Sequence, residues 1–482
     1  MRVAKNRHVT QRFSHVALST CYAWLRQARP TLGHARHADR AAWLKRLCVI
    51  VALLLPDVLC ALTLESALAR TLENNPAIRE AKARLEQAAG RRVVLRSIAY
   101  PDARMQVPGG LQGGKRAGEK DLQPFAFVRG NLAQPLFDAA IPATFRRSNL
   151  EILLAEQRLN VAVLEQLHTA RVAYYTAAYN QSVRAVGESQ RERLEKNVKA
   201  QSDRYEAGKT DRQAVTVARL LEADLQPRVE ESRRTSRGAL LRLAQTMGGD
   251  LGPGTKLPEI DSQLRFAPIF LNVEAEASAA LARRADLKLA RLLVRAAHED
   301  QRIIEAAYYP SIDVIFSGDY IPVSDIRRGS EGSARRSDDI VSSEARYGAT
   351  YTWRVIDNGR TGGAAARQRA TREINELVLA KLEAEVPREL ARIQNNLRAL
   401  QARHDALHKA AGVAEQTVAD VQNNLAEGLS SQLEYRTAES SFLETKAGLL
   451  SVAFEQNLAL AERDRITGRY FQFSGDTTRK LR

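Results

Sequence analysis

The sequence predicts a mainly helical chain with a small β part, built twice over. Three observations carry this reading. A helical pattern of ~60 residues, Ala364 to Leu425, carries a heptad-spaced apolar stripe before Gly428. Four stretches alternate polar and apolar residues. The landmarks of the first half also return about 210–220 residues later, far beyond the period of a solenoid unit.

The stripe is the clearest of the three. Val386, Leu390, Ile393, Leu397, Leu400, His404, Leu407, Ala411, Ala414, Val418, Val421 and Leu425 follow one another at 4, 3, 4, 3 spacing. That is a coiled-coil seam, and its helix would be about 90 Å long at 1.5 Å per residue. Upstream, Leu379, Leu382, Val386 and Leu390 contain an extra four, a local stutter with Pro387 inside it. Gly428 stops the helix, Ser430-Ser431 offers a new N-cap, and a weaker stripe resumes through Leu429, Leu433, Arg436, Ser440, Leu443, Ala447, Leu450 and Phe454.

The residues before Leu62 form a basic leader. Residues 1–61 hold ten of the Lys and Arg against two acids, so +8 of the formal +16 lies there. The remaining +8 is spread over 421 residues of mixed sign, which argues against nucleic-acid binding. Lys45-Arg46, the apolar run Leu47–Leu55 and Ala61 read as a signal peptide. Cys21, Cys48 and Cys60 all lie in this leader, so a mature chain from residue 62 has no disulfide or thiolate site. Asp57-Val58-Leu59 before Cys60 does not read as a lipidation box.

From Thr63 to Ile98 the pattern is helical, broken at Asn74-Asn75-Pro76 and ended by Tyr100-Pro101. Asp102–Val107 alternates as a strand, Pro108–Lys120 reads as a loop, and Phe125–Leu136 as a second strand. A helix from about Thr144 to Glu206 ends at Gly208, and Asp211 caps its return partner, which runs to Met247-Gly248. Tyr309-Pro310 repeats Tyr100-Pro101 at an offset of 209, and Val355-Ile356-Asp357 repeats Leu136-Phe137-Asp138 at 219. Gly428 and Gly468 repeat Gly208 and Gly248 at 220. Ile312–Phe316 is the third strand, Pro322 opens a charged loop reaching Glu344, and Tyr347–Val355 is the fourth. Ala285 stands where the repeat partner of Pro76 would be, so that helix start is less sharply fixed. The division is a leader 1–61, a first repeat 62–272, and a second repeat with a C-terminal tail 273–482.

The strands decide the environment. Ile312, Val314 and Phe316 share one face, as do Tyr347, Tyr351 and Trp353, opposite mostly polar neighbours. No other apolar segment is available to cover such a sheet in water, whereas apolar-out, polar-in alternation is the pattern of a transmembrane barrel. Four strands cannot enclose a lumen and lipid tolerates no open edge, so the barrel is shared among chains.

At this point the layout resembles the TolC-like outer-membrane factor (outer membrane efflux protein) family over residues 62–470. The resemblance rests on Leu64–Leu68 with Asn75-Pro76, the two Tyr-Pro pairs, Leu136-Phe137-Asp138, Ile356-Asp357-Asn358-Gly359 and the Gly208 and Gly428 turns. It implies a homotrimer in which a twelve-strand barrel continues into a twelve-helix coiled-coil tunnel, extending from the outer membrane into the periplasm. It also implies docking to a periplasmic adaptor (membrane fusion protein) and an inner-membrane ABC or proton-driven transporter. The adaptor-docking tip would be Gly208, Lys209, Gly428 and Leu429. Glu434 falls where the family carries an acid facing the pore constriction, although the second such acid is Thr437 here and the first-half counterpart is Ala214.

No catalytic residues, cofactor or metal site are expected. His404-Asp405-Ala406-Leu407-His408 has the spacing of a zinc helix but no third ligand, and His404 falls on the seam, so it reads as a packing residue. Gly252-Pro253-Gly254-Thr255-Lys256 lacks the order of a phosphate loop. The expected function is passive export, foremost of a secreted protein by type I secretion, with small-molecule efflux as the alternative. A pore-free periplasmic scaffold is a remoter reading, against which the four alternating strands stand.

Overall fold

The computed structural model describes residues 62–112, 123–249, 257–261, 263–327 and 337–473. The leader 1–61 and the Gly252–Lys256 stretch lie outside the described residues.

Helices α1 (Leu64–Asn74) and α2 (Pro76–Arg96) meet at Asn75. Its Oδ1 accepts from the N–H of Ala77 at 2.9 Å, and Pro76 occupies the first helical position, where a missing donor costs nothing. Its Nδ2 donates to the Thr246 carbonyl at 2.8 Å, tying this break to the end of a distant helix. Gly248 fits against the same joint at φ +73°, where an added Cβ would lie 2.5 Å from the Asn74 carbonyl oxygen.

The second half repeats this break between α5 (Val273–Arg283) and α6 (Ala285–Glu305) without a proline. The helix start is nevertheless sharp. Arg284 is buried there and forks to Asp286 at 2.7 Å and Glu389 at 3.3 Å. Burial opposes the charge on Asp286, yet the Arg284 guanidinium still holds its carboxyl below the ordinary range. An ion-pair fork at Arg284, the counterpart of Asn75, thus marks the break that Asn75 and Pro76 mark in the first half.

Four long helices follow the strands: α3 (Ala140–Glu206), α4 (Arg212–Thr246), α7 (Arg360–Glu427) and α8 (Gln432–Ile466). The two rods start on equivalent aspartates. Asp138 accepts from the N–H of Ala140 at 2.7 Å, which sets the start of α3 four residues before the expected Thr144. Asp357 accepts from Gly359 at 3.0 Å and Thr361 at 2.8 Å. With 68 residues, α7 runs straight through Pro387 for about 100 Å.

The predicted seam holds: Val386, Leu390, Ile393, Leu397 and Leu400 are buried, as are Val418 and Leu425. The stripe predicted for α8 needs correction at its start. Leu429 and Leu433 are 75% and 69% exposed, and the buried residues there are Tyr435, Ala438 and Phe442. The reason is a second partner, because α8 packs on α3 as well as α7 and its buried face turns between them. Near the strands the helices run in the order α2–α3–α6–α7, and toward the Gly turns in the order α4–α3–α8–α7.

Strands β1 (Asp102–Gln106), β4 (Val128–Phe137), β5 (Ser311–Arg327) and β6 (Ser337–Thr352) form one antiparallel sheet in that order. Strands β2 (Gly109–Gln112) and β3 (Gln123–Ala126) pair separately, so the stretch read as a loop from Pro108 begins with a strand. Residues 113–120 of that loop lie outside the described residues. Pro322 does not end a strand either: β5 continues to Arg327 with Pro322 opposite Val341. The β4 pairing ends at Tyr320, so among the described residues Pro322 is paired on one side only, where a missing donor is tolerated. Trp353 and Val355 lie just beyond β6, where the Trp353 indole donates to the Tyr308 carbonyl at 3.2 Å.

Candidate functional site: a two-faced sheet and a helical tip

Side chains directly opposite one another across a sheet share a face. The register therefore places Met105, Leu132, Phe316 and Tyr347 on one side, with Ile312, Val314, Ala349 and Tyr351. The other side carries Arg104, Arg129, Asn131, Asp313, Ser317, Asp319, Glu344, Arg346 and Thr350. Period-two alternation thus stays in phase across all four strands. Such a sheet has one face fit for hydrocarbon and one fit for water. Among the described residues, no helix is long and apolar enough to cross a membrane.

The tip lies at the far end of the rods. Gly208 and Gly428 adopt φ +68° and +82°, the left-handed conformation that ends a helix. In each turn the next residue folds back, Lys209 N–H to the Arg204 carbonyl at 2.8 Å and Leu429 N–H to Asn424 at 2.8 Å. All four residues of the expected docking tip are exposed. Asp211 then caps α4 by accepting from Ala214 N–H at 2.9 Å.

Glu434 has a local structural role. Ser431 Oγ accepts from Glu434 N–H at 3.2 Å, and the Glu434 carboxylate accepts from Ser431 N–H at 3.1 Å. This is a capping box, legible in the Ser-x-x-Glu spacing.

The two turns are joined by residues that sequence inspection did not single out. Arg204 on α3 donates to the Leu425 and Ala426 carbonyls at 2.5 and 3.1 Å, closing the C-terminal end of α7. Asn197 reaches Gln432 at 3.2 Å, and Arg193 reaches Glu439 at 2.8 Å. Glu439 is 3% exposed, and the Phe442 ring lies beneath both Arg193 and Lys446. Tyr435 is buried here too; burial first and Glu439 second push its phenol up to about 12. These pairs span more than 200 residues of sequence, so no local pattern announces them.

His404 stacks flat on Phe266 at 3.8 Å between ring centroids. Phe266 belongs to the connecting strap between the halves, whose backbone at Ala267 exchanges two hydrogen bonds with Gln456. No three His, Cys, Asp or Glu side chains converge on one point among the described residues.

The described residues thus combine long helical rods joined at glycine turns with a sheet that has one apolar and one polar face. Residues 277–469 match the family described as Outer membrane efflux protein. The fold is similar to VceC, an outer membrane protein from Vibrio cholerae, at 19% identity and TM-score 0.67, covering 84% of this chain and 96% of that one. It is similar to the Campylobacter jejuni CmeC outer membrane channel at 14% identity and TM-score 0.71, covering 87% and 88%. The open state of the Neisseria gonorrhoeae MtrE outer membrane channel aligns at 18% identity and TM-score 0.62, over 84% and 88%. No sequence among curated proteins matches the chain. The family match covers the second half of the chain, and over most of its length the chain shares the fold of these outer membrane channels, in keeping with the TolC-like resemblance.

Proposed function

We propose that three copies of the chain form an outer-membrane channel extending into the periplasm. It exports cargo passively, with an adaptor and an inner-membrane transporter supplying recognition and energy. The observation that carries this reading is the in-phase, two-faced sheet with its outermost strands, β1 and β6, left as edges. An apolar face needs lipid, and lipid forbids an open edge. Joining β6 of one copy to β1 of the next removes every edge, and three copies supply twelve strands. The helical layers close in the same sense, since α2 and α7 are the outer helices near the strands, and α4 and α7 toward the turns.

The halves 62–272 and 273–482 are taken as a duplication, supported by the recurring element order and by the paired breaks at Asn75 and Arg284. The leader 1–61 is taken as an export signal. The tip residues Gly208, Lys209, Gly428 and Leu429 are taken as the adaptor contact, supported by their exposure at two turns bound together through Arg204.

For cargo, type I protein secretion is the first reading, from the sequence before Cys60. Small-molecule efflux is the second, favoured by the description of the matching family. Secretion and drug-susceptibility assays in a deletion strain separate the two. The channel reading is tested by purification in detergent, where a trimer rich in helix and strand should conduct in planar bilayers. A water-soluble, strand-free dimer would overturn it.

A further inference from the structure

The polar face of the sheet carries charges in an ordered ladder. Arg129 and Asp319 stand opposite one another across β4 and β5 and close an ion pair of 2.7 Å. Glu344 on β6 faces the same Asp319 from the other side. Two carboxylates placed directly opposite repel one another unless each is compensated. Each is: Arg346 forks onto both oxygens of Glu344 at 2.7 Å, as Arg129 holds Asp319. On β1, two residues before Gln106, which pairs with Arg129, Arg104 holds Asp102 at 2.7 Å. Three arginines and three carboxylates of one copy are therefore consumed pairwise, and their charges cancel.

Their height along the barrel is fixed by the strands. Asp319 lies eight residues from the start of β5 at Ser311, about 26 Å of strand at 3.3 Å per residue. That is close to the ~9–11 residues a tilted strand needs to cross a membrane. On the opposite face, Val128 and Tyr320 pair one register position further on, so this rung lies near the end of the apolar band away from the helices.

We infer that Arg129–Asp319, Arg346–Glu344 and Arg104–Asp102 form a self-neutralised collar on the lumen side of the barrel, which lets solutes of either charge sign pass its outer end. The inference rests on the three-copy channel reading above. Its physical content is that charge rings select ions, whereas rings cancelled in place do not. The duct then discriminates at its helical end, and the strand end stays permissive.

The test uses full-length trimers in planar bilayers, inserted from one chamber so that the strand end faces a known side. Lanthanum ion or citrate is added to that side. Wild-type current should be insensitive to both at low concentration. Arg129→Gln/Arg346→Gln bares the acid pair in all three copies and should be blocked by lanthanum at concentrations at least about tenfold lower. Asp319→Asn/Glu344→Gln should instead gain block by citrate. The charge swap Arg129→Asp/Asp319→Arg preserves neutrality and should stay insensitive, which keeps the inference testable if a neutralised variant assembles poorly. Lanthanum block of the wild type from the strand side, or lanthanum or citrate block of the swapped variant, would overturn the collar while leaving the channel intact. A wild-type trimer that opens no conductance at all would instead overturn the channel reading beneath it.

Discussion

Arg193 and Glu439 meet at 2.8 Å across 246 positions of sequence, and this pair fastens the second helical hairpin to the first. Glu439 is almost wholly buried and its other oxygen has no protein partner, so it depends on Arg193 for compensation. Breaking a buried pair by removing one member costs ~3–5 kcal/mol because a bare charge stays behind. Arg193 is about a third exposed, so the lower end of that range or less applies here.

Arg193→Ala should therefore lower the melting temperature of the purified trimer and raise its single-channel conductance by loosening the hairpins. Replacing both partners with apolar residues of similar size, Arg193→Met/Glu439→Leu, should recover the stability. A double variant as unstable as Arg193→Ala would show that the pair is not the fastening.

The seam between copies should run along α2 and α7. On α7, Ile374 and Leu377 are exposed apolar residues on an outer helix. On α2, a groove of about 580 Å³ is lined by the small residues Ala77, Ala81 and Ala88 and Ala155 of α3, together with charged side chains that include Glu80, Arg84 and Arg91. Small residues on one copy facing large apolar ones on the next suit close helix packing. Ala81→Trp and Leu377→Glu should each shift the protein from trimer to monomer on native gels. Intact trimers in both variants would place the seam elsewhere.

A pH window follows from His168 on α3, which lies 3.5 Å from Glu462 and 3.5 Å from the Tyr470 hydroxyl. Burial pushes its imidazole down, and the Glu462 carboxylate only partly opposes this. The unfolded chain therefore binds this proton more readily than the folded one, so stability rises with pH. The contribution is complete above the ordinary histidine value of about 6.5 and is lost as pH falls below it toward the folded value. Glu462, drawn down chiefly by Arg465, loses its own contribution only at lower pH, in the carboxylate range. Thermal melts from pH 8 to pH 5 should show a loss in the wild type that His168→Gln lacks. Parallel curves would remove His168 from the account.

What the sequence disclosed follows from how local each determinant is. The seam from Val386 to Leu425 was legible because both its period and its Gly428 stop lie within one segment. Strand alternation was legible for the same reason, since each face is defined by next-but-one neighbours. The strand ends were not: Pro322 marks a break only where both sides of a strand are paired, and the pairing on β4 ends at Tyr320. The buried face at the start of α8 departs from the heptad continued from α7, because Tyr435 packs against Leu194, Leu221 and Leu225 of the first hairpin. Arg193, Arg204 and Glu439 were invisible for the same reason. Arg284 shows the converse: without a proline the sequence suggests a loose break, and a buried ion pair makes it firm.

Glu434 is the residue on which local structure and pore chemistry have to be separated. Its carboxylate closes a capping box with Ser431, so deleting it removes a cap as well as a charge. Without that carboxylate the Ser431 N–H loses its acceptor, which loosens the first turn of α8 and with it the neighbouring Tyr435 and Gln432 contacts. Glu434→Ala would then alter conductance whether or not the side chain faces the pore. Glu434→Gln keeps an acceptor for the Ser431 N–H and removes only the charge. If the three carboxylates line a constriction, Glu434→Gln should reduce cation preference in reversal-potential measurements while melting like the wild type. Glu434→Ala should change both selectivity and melting temperature. A Glu434→Gln channel with unchanged selectivity, beside a destabilised Glu434→Ala, would leave Glu434 a helix cap and place the constriction on other residues of the tip.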